Sequence, residues 1–139
     1  VGPIEVNLWA SSSAFDTDFT AKLVDVYPSN TSYPDGFALN LCDGIIRARY
    51  RNDRERQELM EPDKPYEFRI DLQATGNLFK KGHRVRLDIS SSNFPHYDVN
   101  PNTGGPLWGS NQGWQSADQH IYHDSVHTSH VVLPVIPSK

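Results

Sequence analysis

The chain has 139 residues, 37% of them hydrophobic and 11% aromatic, enough apolar material to close one core and too much for a disordered chain. A formal charge of -4, from 13 basic and 17 acidic residues, excludes a non-specific electrostatic grip on nucleic acid or on an anionic membrane surface. No stretch approaches the ~20 apolar residues of a membrane helix, and the single cysteine, Cys42, has no partner for an internal disulfide and reads as a small buried side chain.

The chain starts at Val1, with neither Met nor a basic-then-apolar leader, already inside a strand-like alternation. That start is expected of a domain excised from a longer protein, with the compartment left open between cytoplasm and secretion. In "IEVNLWAS" Ile4, Val6, Leu8 and Ala10 share one face, and Glu5, Asn7, Trp9 and Ser11 share the other. "FTAKLVDVY" predicts a second strand, "YPDG" a turn, "FALNLC" a third strand and "CDG" another turn. "IIRARYR" then sets Ile46, Ala48 and Tyr50 against Arg47, Arg49 and Arg51.

Residues 51–65 are charged and closed by prolines, a solvated connection with room for one helical turn. "YEFRIDL" alternates Tyr66, Phe68, Ile70 and Leu72 with Glu67, Arg69 and Asp71, and "FKKG" makes a turn. "RVRLDIS" sets Val85, Leu87 and Ile89 against Arg84, Arg86 and Asp88. A short strand at 119–123 and a last one in "SHVVLPVI" bring the total to about eight. The expectation is an all-β chain, one jelly-roll β-sandwich of galactose-binding-like type over residues 1–139.

One segment resists periodicity. Residues 92–118 form a connection far longer than the ~4 to 6 residues usual in compact domains, and such loops are functional or disordered. This one carries Phe94, Tyr97, Trp108 and Trp114, whose apolar area asks for cover, either on this sandwich or on a neighbouring domain.

Three chemistries compete with ordinary structural roles. Nucleophilic catalysis on an α/β scaffold needs a G-x-S-x-G elbow, which is missing, so the chain is not expected to be an enzyme on its own. Ser90, Ser91 and Ser92 with His123 and Asp124 do not repair this, because neighbours on a strand point to opposite faces. The run "QHIYHDSVHTSH" would align His120, His123, His127 and His130 on a helix, but the surrounding alternation scatters them, so no metal and no cofactor are expected. Carbohydrate binding draws on Trp9, Trp108, Trp114, Tyr97, Asn100 and Asn102, the residue types that stack on sugar rings and bond hydroxyls. An autonomous carbohydrate-binding module is therefore the alternative function. Asp16 and Asp18 in "DTDF" have the composition of a calcium pair, and an arginine partner such as Arg47 or Arg49 explains them equally.

Four stretches, "GPIEVNLWASSSAFDTDFTAKLVDVYP", "DGIIRARYR", "LMEPDKPYEFRIDLQATGNLFKKGHRVRLDISSSNFPHYDVNPNTG" and "YHDSVHTSHVVLPVIP", occur in this order. Together they resemble the C-terminal domain of X-Pro dipeptidyl-peptidase type serine hydrolases, the group containing cocaine esterase, α-amino-acid ester hydrolases and cephalosporin acylases. The resemblance implies a parent with an α/β-hydrolase domain bearing the Ser-His-Asp triad, a helical cap, and this sandwich as a non-catalytic third domain. The partners it implies are those two domains, and a homo-oligomer stays open.

On this reading Phe94, His96, Tyr97, Asp98, Asn100, Asn102, Trp108 and Trp114 are the inter-domain or substrate-cleft candidates. Asp16, Asp18, Arg47, Arg49, His123 and Asp124 are structural polar candidates, and "YHDSVHTSHVVLPVIP" is the closing hairpin, with His123 and Asp124 at its turn. The family often carries arginine where this chain has His96 and Val99, and an additional strand before Val1, so a sheet edge is expected to be bare.

Overall fold

The computed structural model describes residues 1–106 and 113–137. Strands β1 (Gly2–Ser12), β2 (Asp18–Tyr27), β3 (Phe37–Arg47), β4 (Tyr66–Thr75), β5 (Arg84–Ser90), β6 (Gln119–Tyr122) and β7 (His130–Val132) form two antiparallel sheets. One has the order β4-β1-β6 with β7 also on β1, and the other β3-β2-β5. The fold is a β-sandwich in which β1 and β2 are the central strands.

The period-2 pattern explains why these sheets face each other. Ile4, Val6, Leu8 and Ala10 of β1, Phe19, Ala21 and Leu23 of β2, and Phe68, Ile70 and Leu72 of β4 are all buried in one cluster. Phe19 and Phe68 meet across the sheets with ring centroids 4.8 Å apart. Each of the Val, Leu, Ile and Phe side chains among these, taken from water, stabilises the fold by about 1.5–3 kcal/mol.

Among the described residues the strands number seven, because "CDG" is not a turn. Asp43 and Gly44 continue the ladder opposite Lys22 and Ala21, so "FALNLC" and "IIR" are one strand. Glycine is needed there for proximity: a Cβ on Gly44 would lie 2.1 Å from the carbonyl oxygen of Asp71, where β4 crosses β3.

The alternation of "IIRARYR" also stops early. After Arg47 the chain makes a 3-10 turn, Ala48–Tyr50, which buries Ala48 and Arg49 together. Among the described residues, 51–65 hold no helical turn; the connection is pinned instead by buried Met60, whose N–H bonds Phe15 O at 2.8 Å.

The closing hairpin is likewise corrected. β6 pairs with Trp9–Ser12 and β7 with Glu5–Asn7, both antiparallel to β1. They are two halves of one edge strand interrupted by an excursion that the His123–Thr128 bridge closes. A hairpin would need the halves to pair with each other, but β1 offers its free edge to both.

Register also sets the two ends of the sandwich. Ser12 with Gln119, Asp18 with Arg47 and Thr20 with Ser90 lie at one end, from which the long 92–118 connection leaves. Gly2 with Thr75, Tyr27 with Phe37 and Val26 with Arg84 lie at the other.

Candidate functional site

The end from which the long connection springs is built around two buried carboxylates. Asp16, in the β1–β2 loop, accepts from Arg49 Nε at 2.8 Å and from the Arg49 backbone N–H at 2.9 Å. Asp18, opening β2, takes a bidentate bond from Arg47, 2.9 Å from Nε and 3.0 Å from Nη2, which raises the Arg47 pKa above its ordinary value. Asn100 then reaches in from the long connection, its Nδ2 donating to Asp16 Oδ2 at 2.8 Å and to Asp18 Oδ1 at 2.9 Å.

Arg49 completes the cluster by donating to Gln57 Oε1 at 3.2 Å and to the carbonyl of Gly105 at 3.0 Å. Both members of the Arg49–Asp16 pair are almost fully buried, so desolvation cancels much of their attraction. What the cluster gains is position. It clasps the first arm of the connection, residues 100–105, to the end of the sandwich.

Asn102, at φ 63, turns the chain back and donates from Nδ2 to Gln115 O at 3.0 Å, while Gln115 N–H bonds Pro101 O at 3.0 Å. Asn tolerates that left-handed backbone better than most residues. The second arm is tied by Asp118 N–H to Ser13 Oγ at 2.9 Å and by Gln119 Nε2 to Thr17 Oγ1 at 2.9 Å. Two arms are thus fixed on one end of the sandwich, and Trp108, which lies between them in sequence, falls outside the described residues.

The start of the connection lies beside β3. Asn93 donates to Asp43 Oδ2 at 2.9 Å, and His96 Nε2 is 3.7 Å from the same oxygen. Burial, with the Asp43 charge adding to it, pushes the Tyr97 hydroxyl above its ordinary pKa. Burial likewise raises the thiol of half-buried Cys42. His96 and Asp98 are exposed. Phe94 and Trp114 are 70% and 73% exposed, so these two aromatics are not covered by the sandwich.

The histidine run forms no ligand set. Among the described residues, no group of three His, Cys, Asp or Glu could hold a metal ion. Asp124 pairs with His127, not with adjacent His123: its Oδ2 is 3.0 Å from His127 Nδ1, and its Oδ1 accepts from the N–H groups of Val126 and His127 at 2.8 Å each. Those bonds to His127, backbone first, lower the Asp124 pKa to about 2. The His127 ring sits 5.1 Å from both Trp9 and Tyr122, and Ser129 Oγ donates to the Tyr122 carbonyl while accepting from Trp9 N–H.

A second buried cluster was not singled out in the sequence. Asp25, fully buried, lies 2.9 Å from His83 Nδ1 and accepts from Asn77 Nδ2 at 2.9 Å. Its signal was present: Asp25 has the parity of Phe19, Ala21 and Leu23, and a carboxylate at a core-facing position demands partners. Beside this cluster an apolar groove of about 900 Å3 opens at the Val1 end, bordered by exposed Leu78, Val85, Val135 and Ile136.

The family described as the X-Pro dipeptidyl-peptidase C-terminal non-catalytic domain matches residues 1–132. Over 136 residues, 97% of this chain, the sequence is 48% identical to the cocaine esterase of Rhodococcus sp. (strain MB1 Bresler) and spans 23% of that protein. A solved α-amino acid ester hydrolase superposes with a TM-score of 0.91 at 35% identity, over 98% of this chain and 23% of that one. An aminopeptidase from a marine sediment Thaumarchaeota archaeon does so with a TM-score of 0.85 at 31% identity, over 95% and 23% respectively.

Proposed function

Because the chain belongs to the X-Pro dipeptidyl-peptidase C-terminal non-catalytic domain family, we propose that it serves as the third domain of a serine hydrolase acting on peptide, amide or ester bonds. Its partners are the α/β-hydrolase catalytic domain and helical cap of the same parent. Its task is to pack on both and to wall the substrate cleft with the 92–118 connection.

The observation that carries this reading is the clasp. Asn100 spans 82 and 84 residues of sequence to satisfy Asp18 and Asp16, and the arms it fixes leave Phe94 and Trp114 in water. An aromatic presented on a rigid base is well suited to be covered by a partner. Phe94, His96, Tyr97, Asp98 and Trp114 form the contacting set, with Asn100 and Asn102 holding it in place. The apolar groove at the Val1 end has the same kind of occupant, another part of the parent's polypeptide.

The test has two arms. The purified chain leaves a nitrophenyl ester and a prolyl dipeptide anilide unhydrolysed; turnover blocked by a serine-directed inhibitor refutes the non-catalytic assignment. In the parent, Phe94→Asp with Trp114→Asp lowers kcat/KM and splits one thermal transition into two. An unchanged melting profile and unchanged kinetics refute the packing role.

A further inference from the structure

The sheet of order β3-β2-β5 ends at β5, and among the described residues no strand continues it. Arg84–Ser90 pair with β2 along one edge, and no backbone hydrogen bond outside that ladder engages them among the described residues. Half of the strand's N–H and C=O groups are thus left without a backbone partner along a seven-residue run.

The two faces of this edge strand are distinct. The register sets Val85, Leu87 and Ile89 opposite Asp25, Leu23 and Ala21, on the core side of the sheet. It sets Arg84, Arg86, Asp88 and Ser90 opposite Val26, Val24, Lys22 and Thr20, on the outer side. The core-side row is incompletely covered, because Val85 is 50% exposed and Leu87 and Ile89 are only half-buried. Edge strands are commonly defended against pairing by a bulge, a proline or a run of lysines. β5 has none of these, and its charges are of both signs.

We propose that β5 pairs with β5 of a second copy of this chain, antiparallel about a two-fold axis at Leu87, so that the two β3-β2-β5 sheets become one. Charge selects that register. With the axis at Leu87, Arg86 faces the partner's Asp88 on both sides of the axis, Val85 faces the partner's Ile89, and the two Leu87 side chains meet. An axis at Arg86 or at Asp88 instead sets two like charges face to face. A slip of one residue lays each apolar row beside the other copy's charged row.

The outer face of the joined sheet also alternates in sign. Arg86, the partner's Asp88, the partner's Lys22 and the partner's Asp43 fall in one cross-strand row. Within one chain Arg86 and Asp88 stand 2.9 Å apart with about half of each side chain in water, so both are accessible to a partner strand.

The test is sedimentation equilibrium of the chain, with amide chemical shifts followed over the same concentrations. A ladder of this length is at the low end of interface size, so the expected dissociation constant is on the order of 0.1–1 mM. The shifts that move with concentration fall on β5 and its neighbour β2. Arg86→Asp sets like charges across the axis and weakens the dimer about tenfold or more, as does Asp88→Arg. Mixed in equal amounts, the two variants pair with each other, the acidic β5 of one on the basic β5 of the other, and association returns to within about threefold of the unmodified chain. An unchanged thermal transition verifies that each variant folds. The proposal is overturned if the chain stays monomeric at about 2 mM, which leaves the edge to a strand of another polypeptide. It is equally overturned if the moving shifts lie away from β5, if Arg86→Asp associates as well as the unmodified chain, or if the mixture of variants stays monomeric.

Discussion

Replacing Asn100 by Asp changes one atom of the clasp and reverses its electrostatics. The Nδ2 that donates to Asp16 and Asp18 at 2.8 and 2.9 Å becomes an oxygen between two carboxylates. Two unit charges that close repel by about 6 kcal/mol at an effective dielectric of 20, and Arg47 and Arg49 offset only part of this. Staying protonated costs less: holding a carboxyl neutral at pH 7, against an ordinary value of about 3.9, costs about 4 kcal/mol at 1.36 kcal/mol per unit. The variant therefore takes the proton, and its folded pKa lies above its unfolded one.

The sign follows from that shift. Relative to the unmodified chain, stability is retained below the ordinary carboxylate pKa and lost as pH rises toward the raised folded value. At pH 5 the same reasoning leaves a loss of only about 1.5 kcal/mol. Urea unfolding of both proteins at pH 7 and pH 5 measures it. With a slope of about 2 kcal/mol per molar, the midpoint falls by about 2 M at pH 7 and by under 1 M at pH 5. Asn100→Ala, which removes donors without adding charge, costs about 2 kcal/mol at either pH. Equal losses for Asn100→Asp at the two pH values, or none at pH 7, would refute the reasoning.

His83→Ala strands the buried Asp25 carboxylate with Asn77 alone and is expected to cost about 3 kcal/mol in urea unfolding. Gly44→Ala drives a methyl into the Asp71 carbonyl and is expected to cost 3 kcal/mol or more, read as a lower thermal midpoint or as insoluble protein. Asp124, with its folded pKa lowered to about 2, contributes stability that is present above the unfolded value and lost as pH falls through about 2. Trp9 fluorescence, reporting on His127 at 5.1 Å, is therefore flat from neutrality to about pH 4 in respect of this group and changes below about pH 3. Asp124→Ala removes that acid step.

The alternation that placed Ile4, Val6, Leu8, Phe68, Ile70 and Leu72 inside is a local property. Side chains on a strand alternate whatever lies beyond it, so the two-sheet architecture was legible from composition and period alone. Motif order carried the family, and strings such as "ASSSAFDTDF" and "NPNTG" hold Asp16, Asp18 and Asn100 of the clasp. The two aspartates and their two arginines were also visible as candidate partners.

What the sequence could not decide was which groups meet. The Arg49 side chain changes sides because the strand gives way to a 3-10 turn at Ala48, and the Asp16 carboxylate, 33 residues away, makes its burial tolerable. Glycine in "CDG" reads as a turn until β4 is seen crossing at the Asp71 carbonyl. The histidine run reads as a hairpin until β1 is seen pairing with both of its halves. Each of these rests on contacts between distant segments. Pattern determines which face of a strand is apolar, and only the closed sandwich determines which carboxylate, carbonyl or strand edge waits on the other side.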